Sequence, residues 1–252
     1  MNFIGIDIGS TAAKVCVKGD KELLFRLPTG WSSVETAGAI REKLFKEGID
    51  VSSPDTKVVA TGYGRVAVDY ADKVITEITC HGRGGREIAG DNVGIIDVGG
   101  QDTKAILIEN GMVTNFLMND KCSAGTGKFL EVMANKLSVT IDDLFDLAQE
   151  GKVLPISSLC TVFAESEIIS YIGQGKKRED IAAGVVDSVA AKVSQLAHRF
   201  DMPEDVILTG GLSHNEYFTR ILSEKLERNV RTTNNGIYAG AIGAALLAKE
   251  KR

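Results

Sequence analysis

Two cysteines stand where chemistry is expected. Cys122, in "NDKCSAGTGKFLE", and Cys160, in "SLCTVFAESEII", each come directly before a stretch with helical apolar spacing. A helix start offers unpaired N–H groups and the positive end of the helix dipole, which suit a thiolate or an anionic cluster. A [4Fe–4S] cluster usually takes four thiolates. Two per chain would therefore call for a twofold homodimer. The plainer alternative is a pair of reduced cysteines near helix starts. Cys16, in "KVCVKG", and Cys80, after "VITEIT", fall within or at the end of predicted strands and read as small buried apolar residues. Cys80 beside His81 could also be a metal or redox site, but no second CxxC or His pair accompanies it.

The run after Cys122 ends in Gly-Lys, as a phosphate loop does. That loop needs a glycine where Cys122 stands and a Ser or Thr where Phe129 follows Lys128. Phosphate chemistry is better placed elsewhere. "GIDIGSTAAK" carries Asp7, Gly9, Ser10, Thr11 and Lys14. "IIDVGGQDTK" repeats the device 90 residues later with Asp97, Gly99, Gly100, Gln101, Asp102 and Lys104. A tight turn of this composition can offer backbone N–H groups and hydroxyls to phosphate oxygens. Asp7 and Asp97 are carboxylates suited to Mg²⁺, directly or through water. Lys14 and Lys104 read either as phosphate contacts or as solvated strand lysines. A third turn, "LTGGLSHN", brings Gly210 and Gly211, whose bare backbone would let a base and ribose approach, and then Asn215.

These residues need a scaffold, and the pattern supplies one. The two Asp-x-Gly segments each read as strand, turn, strand, turn, strand, continuing through "ELLFRL" and "MVTNFL". Helices are predicted over 33–47, 64–72, 124–137, 141–150, 164–173, 178–200, 214–226 and 238–249, with Thr161 as a helix cap. Further strands are predicted over 57–61, 74–79 and 205–209. The repeat and the alternation suggest two related α/β domains facing each other across a cleft. Boundaries near 1–85 and 86–237 follow, with a C-terminal helix, about 238–252, packing back on the first domain.

The order of the two Asp-x-Gly hairpins and the late Gly-Gly turn resembles the actin, sugar kinase and Hsp70 ATPase superfamily. Within it, "TGYGR", "EITCHGRG", "FLMNDKCSAGTGKFLE" and "CTVFAESEII" make the chain similar to the activator components of 2-hydroxyacyl-CoA dehydratases and the related ATP-binding subunits of benzoyl-CoA reductases, in the BadF/BadG/BcrA/BcrD ATPase family. The resemblance implies an ATP- or ADP-binding cleft between two ribonuclease-H-like domains, with Mg²⁺. It also implies a homodimer bridged by one [4Fe–4S] cluster, in which Cys122 and Cys160 match the ligand positions. Such a protein takes an electron from ferredoxin or flavodoxin. It passes that electron, coupled to ATP hydrolysis, to a partner iron–sulfur enzyme. Gly125, Thr126, Gly127, Lys128 and Glu131 would then lie near the ribose or base, and Gln101 would position the hydrolytic water, by analogy with glutamines of other NTPases. Glu165 and Glu167 read as complements to a helix N-terminus.

The electron acceptor stays open: a 2-hydroxyacyl-CoA dehydratase first, otherwise a benzoyl-CoA reductase core or a double-cubane-cluster reductase. Two other classes also remain, a small-molecule kinase of the same superfamily and a non-enzymatic ATP switch. The formal net charge of -5 argues against nucleic acid or an anionic membrane as partner. No leader-like start and no bilayer-length apolar stretch are present, so a cytoplasmic protein with reduced thiols is expected.

Overall fold

The computed structural model describes residues 1–156 and 160–250. Two five-stranded sheets organise the chain. In the first, β1 (Asn2–Ile8) pairs antiparallel with β2 (Ala12–Gly19), which pairs antiparallel with β3 (Leu23–Pro28). On its other side β1 pairs parallel with β4 (Thr56–Thr61), and β4 with the two-residue β5 (Lys73–Val74). β1 is buried on both faces, and its residues are divided accordingly. Ile4, Ile6 and Ile8 share a core with Ala37, Ile40 and Leu44 of α1 (Ser33–Lys46). On the opposite face Gly5 meets α8 (Ala239–Glu250) so closely that a Cβ there would lie 1.9 Å from the Ala241 carbonyl. Ser32 caps α1 by accepting from the Glu35 N–H, as a serine at a helix start should.

The second sheet runs β10-β9-β6-β7-β8: β6 (Val93–Val98), β7 (Thr103–Glu109) and β8 (Met112–Asn119) form the second meander, and β9 (Asp205–Gly210) and β10 (Asn229–Arg231) extend it. The helices that go with it are α3 (Gly127–Lys136), α4 (Ile141–Glu150), α5 (Thr161–Gly173), α6 (Arg178–Ala197) and α7 (Glu216–Leu226). α6 is the core helix, with Val185, Val186, Val189 and Val193 inside a cluster that also takes Phe129, Leu130 and Met133 of α3. α4 starts with a capping box in which Thr140 and Asp143 bond reciprocally.

The chain divides into two compact units: residues 1–95, 106–116 and 233–252, and residues 96–105 and 117–232. Residues 251–252 of the predicted C-terminal helix lie outside the described residues.

Local structure departs from the sequence reading in four places. The predicted strand over 74–79 ends at Val74, and α2 (Glu77–Ala89) takes its place and puts Cys80 inside a helix. Its three glycines are there for packing: a Cβ at Gly84 would lie 1.9 Å from the Ala239 carbonyl, and one at Gly85 would lie 2.1 Å from Ile95 Cδ1. The predicted helix over 64–72 is a single 3₁₀ turn, Arg65–Ala67. Gly62, at φ +84°, turns the chain just ahead of it. α3 begins at Gly127, so Cys122 lies in the preceding loop and not at a helix start. Thr161 is the first residue of α5, and Cys160 holds the cap position without a side-chain cap bond.

Candidate functional site

The first hairpin turn is held by its carbonyls. Gly9 N–H donates to the Ala12 carbonyl at 3.1 Å, and Thr29 donates its hydroxyl to the Gly9 carbonyl at 2.7 Å and its N–H to the Thr11 carbonyl at 3.1 Å. The Ser10 and Thr11 N–H groups have no acceptor among the described residues. Adjacent unpaired N–H groups on a turn whose carbonyls are taken up make an anion nest. Lys14 arches over this turn, with Nζ 3.3 Å from the place a Gly9 Cβ would occupy.

Asp7, one turn inward, is 4% exposed, and its Oδ1 is buried with no hydrogen-bond partner. Leaving a buried carboxylate oxygen unpaired costs free energy, and a hard cation would satisfy it. Glycines make the room around it. A Cβ at Gly62 would stand 2.4 Å from Oδ1, and one at Gly240 would stand 2.8 Å from Oδ2 and 2.9 Å from His81 Cε1. His81 is therefore a neighbour of Asp7. Its Nδ1 lies 3.1 Å from the Glu77 carbonyl, which only accepts, so Nδ1 donates in that bond. Sequence reading gave His81 no part in this site, nor Gly240. "EITCHGRG" marked the histidine but not the carboxylate it would face, 74 positions away.

The second hairpin repeats the carbonyl device with another anchor. Gly99 N–H donates to the Asp102 carbonyl at 2.9 Å. The Gly99 and Gly100 carbonyls accept from the N–H groups of Gly127 and Lys128 at 2.9 and 2.8 Å, and Thr103 donates its hydroxyl to the Gly125 carbonyl at 2.6 Å. The start of α3 thus sits on the turn. The N–H groups of Gly100 and Gln101 have no acceptor among the described residues, and Gln101 is exposed at the tip. Lys104 does not line this turn as Lys14 lines the first. It is 1% exposed, with Nζ 2.7 Å from Asp102 Oδ2 and 3.3 Å from Asp97 Oδ2. Asp97 Oδ1 accepts from Thr209 at 2.7 Å.

In the third turn the two glycines have different reasons. Gly210 takes φ +82°, and a Cβ there would lie 2.4 Å from the Val98 carbonyl, so its own strand pairing requires it. Around Gly211 a Cβ would meet nothing closer than 3.9 Å, which leaves the backbone approachable. Asn215 caps α7, accepting from the Phe218 N–H at 2.8 Å.

A cavity of about 300 Å³ opens beside Gly125 and Phe129, walled by Asp187, Ser188, Lys192 and Gln195 of α6. Gly125 has φ +89°, and a Cβ there would stand 2.9 Å from Lys192 Cβ. Thr126 is fully buried and turns back to the Ser123 carbonyl. Lys128 and Glu131 pair with each other at 3.1 Å on the surface, apart from the cavity lining.

Cys122 and Cys160 are both exposed thiols. The residues that follow them touch: Ser123 Oγ and Thr161 Oγ1 are 2.7 Å apart. The two cysteines are thus brought to one place although 38 positions separate them. Asn119 steadies the loop by donating to the carbonyls of Cys122 at 2.9 Å and Ala124 at 3.1 Å. Cys16 and Cys80 are different. Burial pushes their thiols up to about 11 and about 12, as their apolar surroundings require. Among the described residues, no helix is long and apolar enough to cross a membrane.

The family model for the BadF/BadG/BcrA/BcrD ATPases matches residues 4–248. The (R)-2-hydroxyglutaryl-CoA dehydratase activating ATPase of Acidaminococcus fermentans is 44% identical over 254 residues, covering 98% of this chain and 97% of that one. The crystal structure of component A of that dehydratase superposes with a TM-score of 0.92 at 42% identity, covering 100% of this chain and 98% of the other. The activator of the 2-hydroxyisocaproyl-CoA dehydratase from Clostridium difficile, solved with bound ADPNP, superposes with a TM-score of 0.89 at 38% identity, covering 98% and 94%. The α/β fold expected from the two hairpins, that of the actin, sugar kinase and Hsp70 ATPases, is the fold observed.

Proposed function

The chain belongs to the BadF/BadG/BcrA/BcrD ATPase family, and on that premise we propose that it is an ATP-dependent electron donor to a 2-hydroxyacyl-CoA dehydratase. In this reading it works as a homodimer bridged by one [4Fe–4S] cluster and is recharged by ferredoxin or flavodoxin. The observation that carries the reading is the pairing of two exposed cysteines through Ser123 and Thr161, in the unit whose second hairpin anchors the same loop.

The residues fit the groups this requires. For the nucleotide, the N–H groups of Ser10, Thr11, Gly100 and Gln101 and the ammonium of Lys14 would meet phosphate oxygens. The cavity beside Gly125 is of the size that takes a nucleoside, with the open backbone of Gly211 as a second contact. Mg²⁺ fits the buried, unpaired Oδ1 of Asp7. In the second unit Asp97 would act at phosphate through water, and Gln101 would orient the attacking water. For the cluster, two thiols per chain make four in a twofold dimer. A [4Fe–4S] cluster supplies one-electron storage at low potential when bound. The exposed apolar residues of α5 next to Cys160, Val162 and Phe163, each 66% exposed, are what a second copy would cover.

The test is anaerobic purification with iron and sulfide analysis, EPR and mass measurement of the assembly. About four irons per two chains are expected, with loss of the signal in Cys122→Ser and in Cys160→Ser. A dimer of either variant that keeps a full complement of iron would overturn the ligand assignment.

A further inference from the structure

The two hairpins share Asp, Gly and Lys at matching positions, and of the positions between that differ only one changes charge. Ala12 stands where the second hairpin has Asp102. The structure shows what that difference does. With no acid at position 12, Lys14 Nζ lies over Gly9 at the turn. In the second hairpin the Asp102 carboxylate folds onto its own turn, with Oδ1 2.6 Å from where a Gly99 Cβ would be, and draws Lys104 inward at 2.7 Å. Lys104 is among the largest fully buried side chains of the protein. Its ammonium also reaches Asp97 Oδ2 at 3.3 Å, while Thr209 holds Oδ1 at 2.7 Å.

We propose that Lys104 is not a phosphate contact but a positioning residue, a resident cation that fixes the Asp97 carboxylate for the hydrolysis step. Lys14 alone of the matched lysines meets the phosphates. The physical basis is burial. An ammonium out of water with two carboxylates on it is held there by both. Reaching a phosphate would require it to break its contacts with two buried carboxylates, at 2.7 and 3.3 Å. Held by Lys104 and Thr209 on its two oxygens, Asp97 has a defined plane, and small displacements of a group acting in a transition state cost large factors in rate. This inference rests on the ATPase reading.

The test compares Lys14→Met with the double variant Asp102→Asn/Lys104→Met in ATP hydrolysis. Asp97, Asp102 and Lys104 together carry one net negative charge, and so does Asp97 alone in the double variant, which therefore avoids the extra buried negative charge that Lys104→Met alone would leave. For the double variant, kcat is expected to fall at least about tenfold with KM for ATP within about threefold of wild type. For Lys14→Met, KM is expected to rise at least about tenfold. An unchanged kcat in the double variant would make Lys104 a structural brace only. A KM raised about tenfold in it would make Lys104 a phosphate ligand. Either result overturns the proposal. Wild-type protein that does not hydrolyse ATP would overturn the ATPase reading itself, and the lysine inference with it.

Discussion

Thr103→Val tests whether the loop that carries Cys122 is held by the second hairpin. The change keeps the shape of the side chain and removes its buried hydroxyl, which donates to the Gly125 carbonyl at 2.6 Å. The carbonyl is left without that donor in a buried part of the loop, where Gly125 stands at φ +89°. Unpairing a buried group costs about 1–3 kcal/mol. The loop and the start of α3 are also tied by Gly127 N–H to the Gly99 carbonyl and Lys128 N–H to the Gly100 carbonyl, so opening requires all these bonds to break together. The opening free energy should therefore drop by the same 1–3 kcal/mol, roughly a five- to 150-fold gain in local opening. Native-state hydrogen exchange reads this directly. The amides of Gly127 and Lys128 should exchange faster by that factor, while those of β1 and β4 stay unchanged. Exchange at Gly127 and Lys128 within twofold of wild type would refute the reasoning, since the hydroxyl would then contribute nothing to holding the loop.

Asp7→Asn should abolish Mg²⁺-dependent ATP hydrolysis, by about a hundredfold or more in kcat, yet leave the nucleotide-free protein as stable or more stable in thermal melting. The buried, unpaired oxygen of Asp7 is a charge the fold tolerates for function. A clear loss of melting temperature would show that Asp7 is structural. Alkylation of the metal-free native protein at pH 8, read by mass spectrometry, should label Cys122 and Cys160 and spare Cys16 and Cys80, whose thiols burial raises to about 11 and about 12. The same shifts set a pH dependence. The unfolded thiols ionise near the ordinary value of 9.0 and the folded ones at about 11 and about 12, so the unfolded state loses protons first. Stability is intact below pH 9 and falls above it until the folded thiols ionise, by up to about 1.4 kcal/mol per pH unit for each cysteine. Replacing Cys16 and Cys80 by Ala should flatten that alkaline limb in denaturant titrations.

Much of the fold was legible because its signals are local. The Asp-x-Gly repeat marked both hairpins, and apolar spacing placed helices over 33–47 and 141–150, where α1 and α4 lie. α2 was not legible. β-branched residues at 74–79 and three glycines argue against a helix, and only packing explains the glycines, Gly82 on Val113, Gly84 on the Ala239 carbonyl and Gly85 on Ile95. The site followed the same division. The turns with unpaired N–H groups follow the repeat, whereas the contact of Ser123 with Thr161 that joins the two cysteine segments has no signal in the spacing. The neighbours of Asp7, namely Gly62, His81 and Gly240, come from three separate stretches that only the fold joins. A lysine at the matched position looks equivalent to Lys14 and reads as a phosphate contact or a solvated lysine; the structure buries Lys104 against Asp97 and Asp102. The difference at Ala12 and Asp102 was visible, but its consequence depends on which side chains are out of water.

The two hairpins present N–H groups by one principle, which is that something else must take up their carbonyls. What does so differs, and the difference has a mechanical consequence. In the first hairpin Thr29, just after β3, does so by donating to the Gly9 and Thr11 carbonyls, and the turn is closed within its own meander. In the second hairpin the start of α3 does it, five and six residues after Cys122. A shift of the Gly99–Gly100 backbone must then either drag Gly127 and Lys128 with it or break their bonds, because a hydrogen bond tolerates only a few tenths of an ångström of stretch before it weakens. The Ser123 and Thr161 contact extends that chain of attachments from the loop to α5. Motion at the second turn is therefore handed to both cysteine segments, and motion at the first is not handed on by this route.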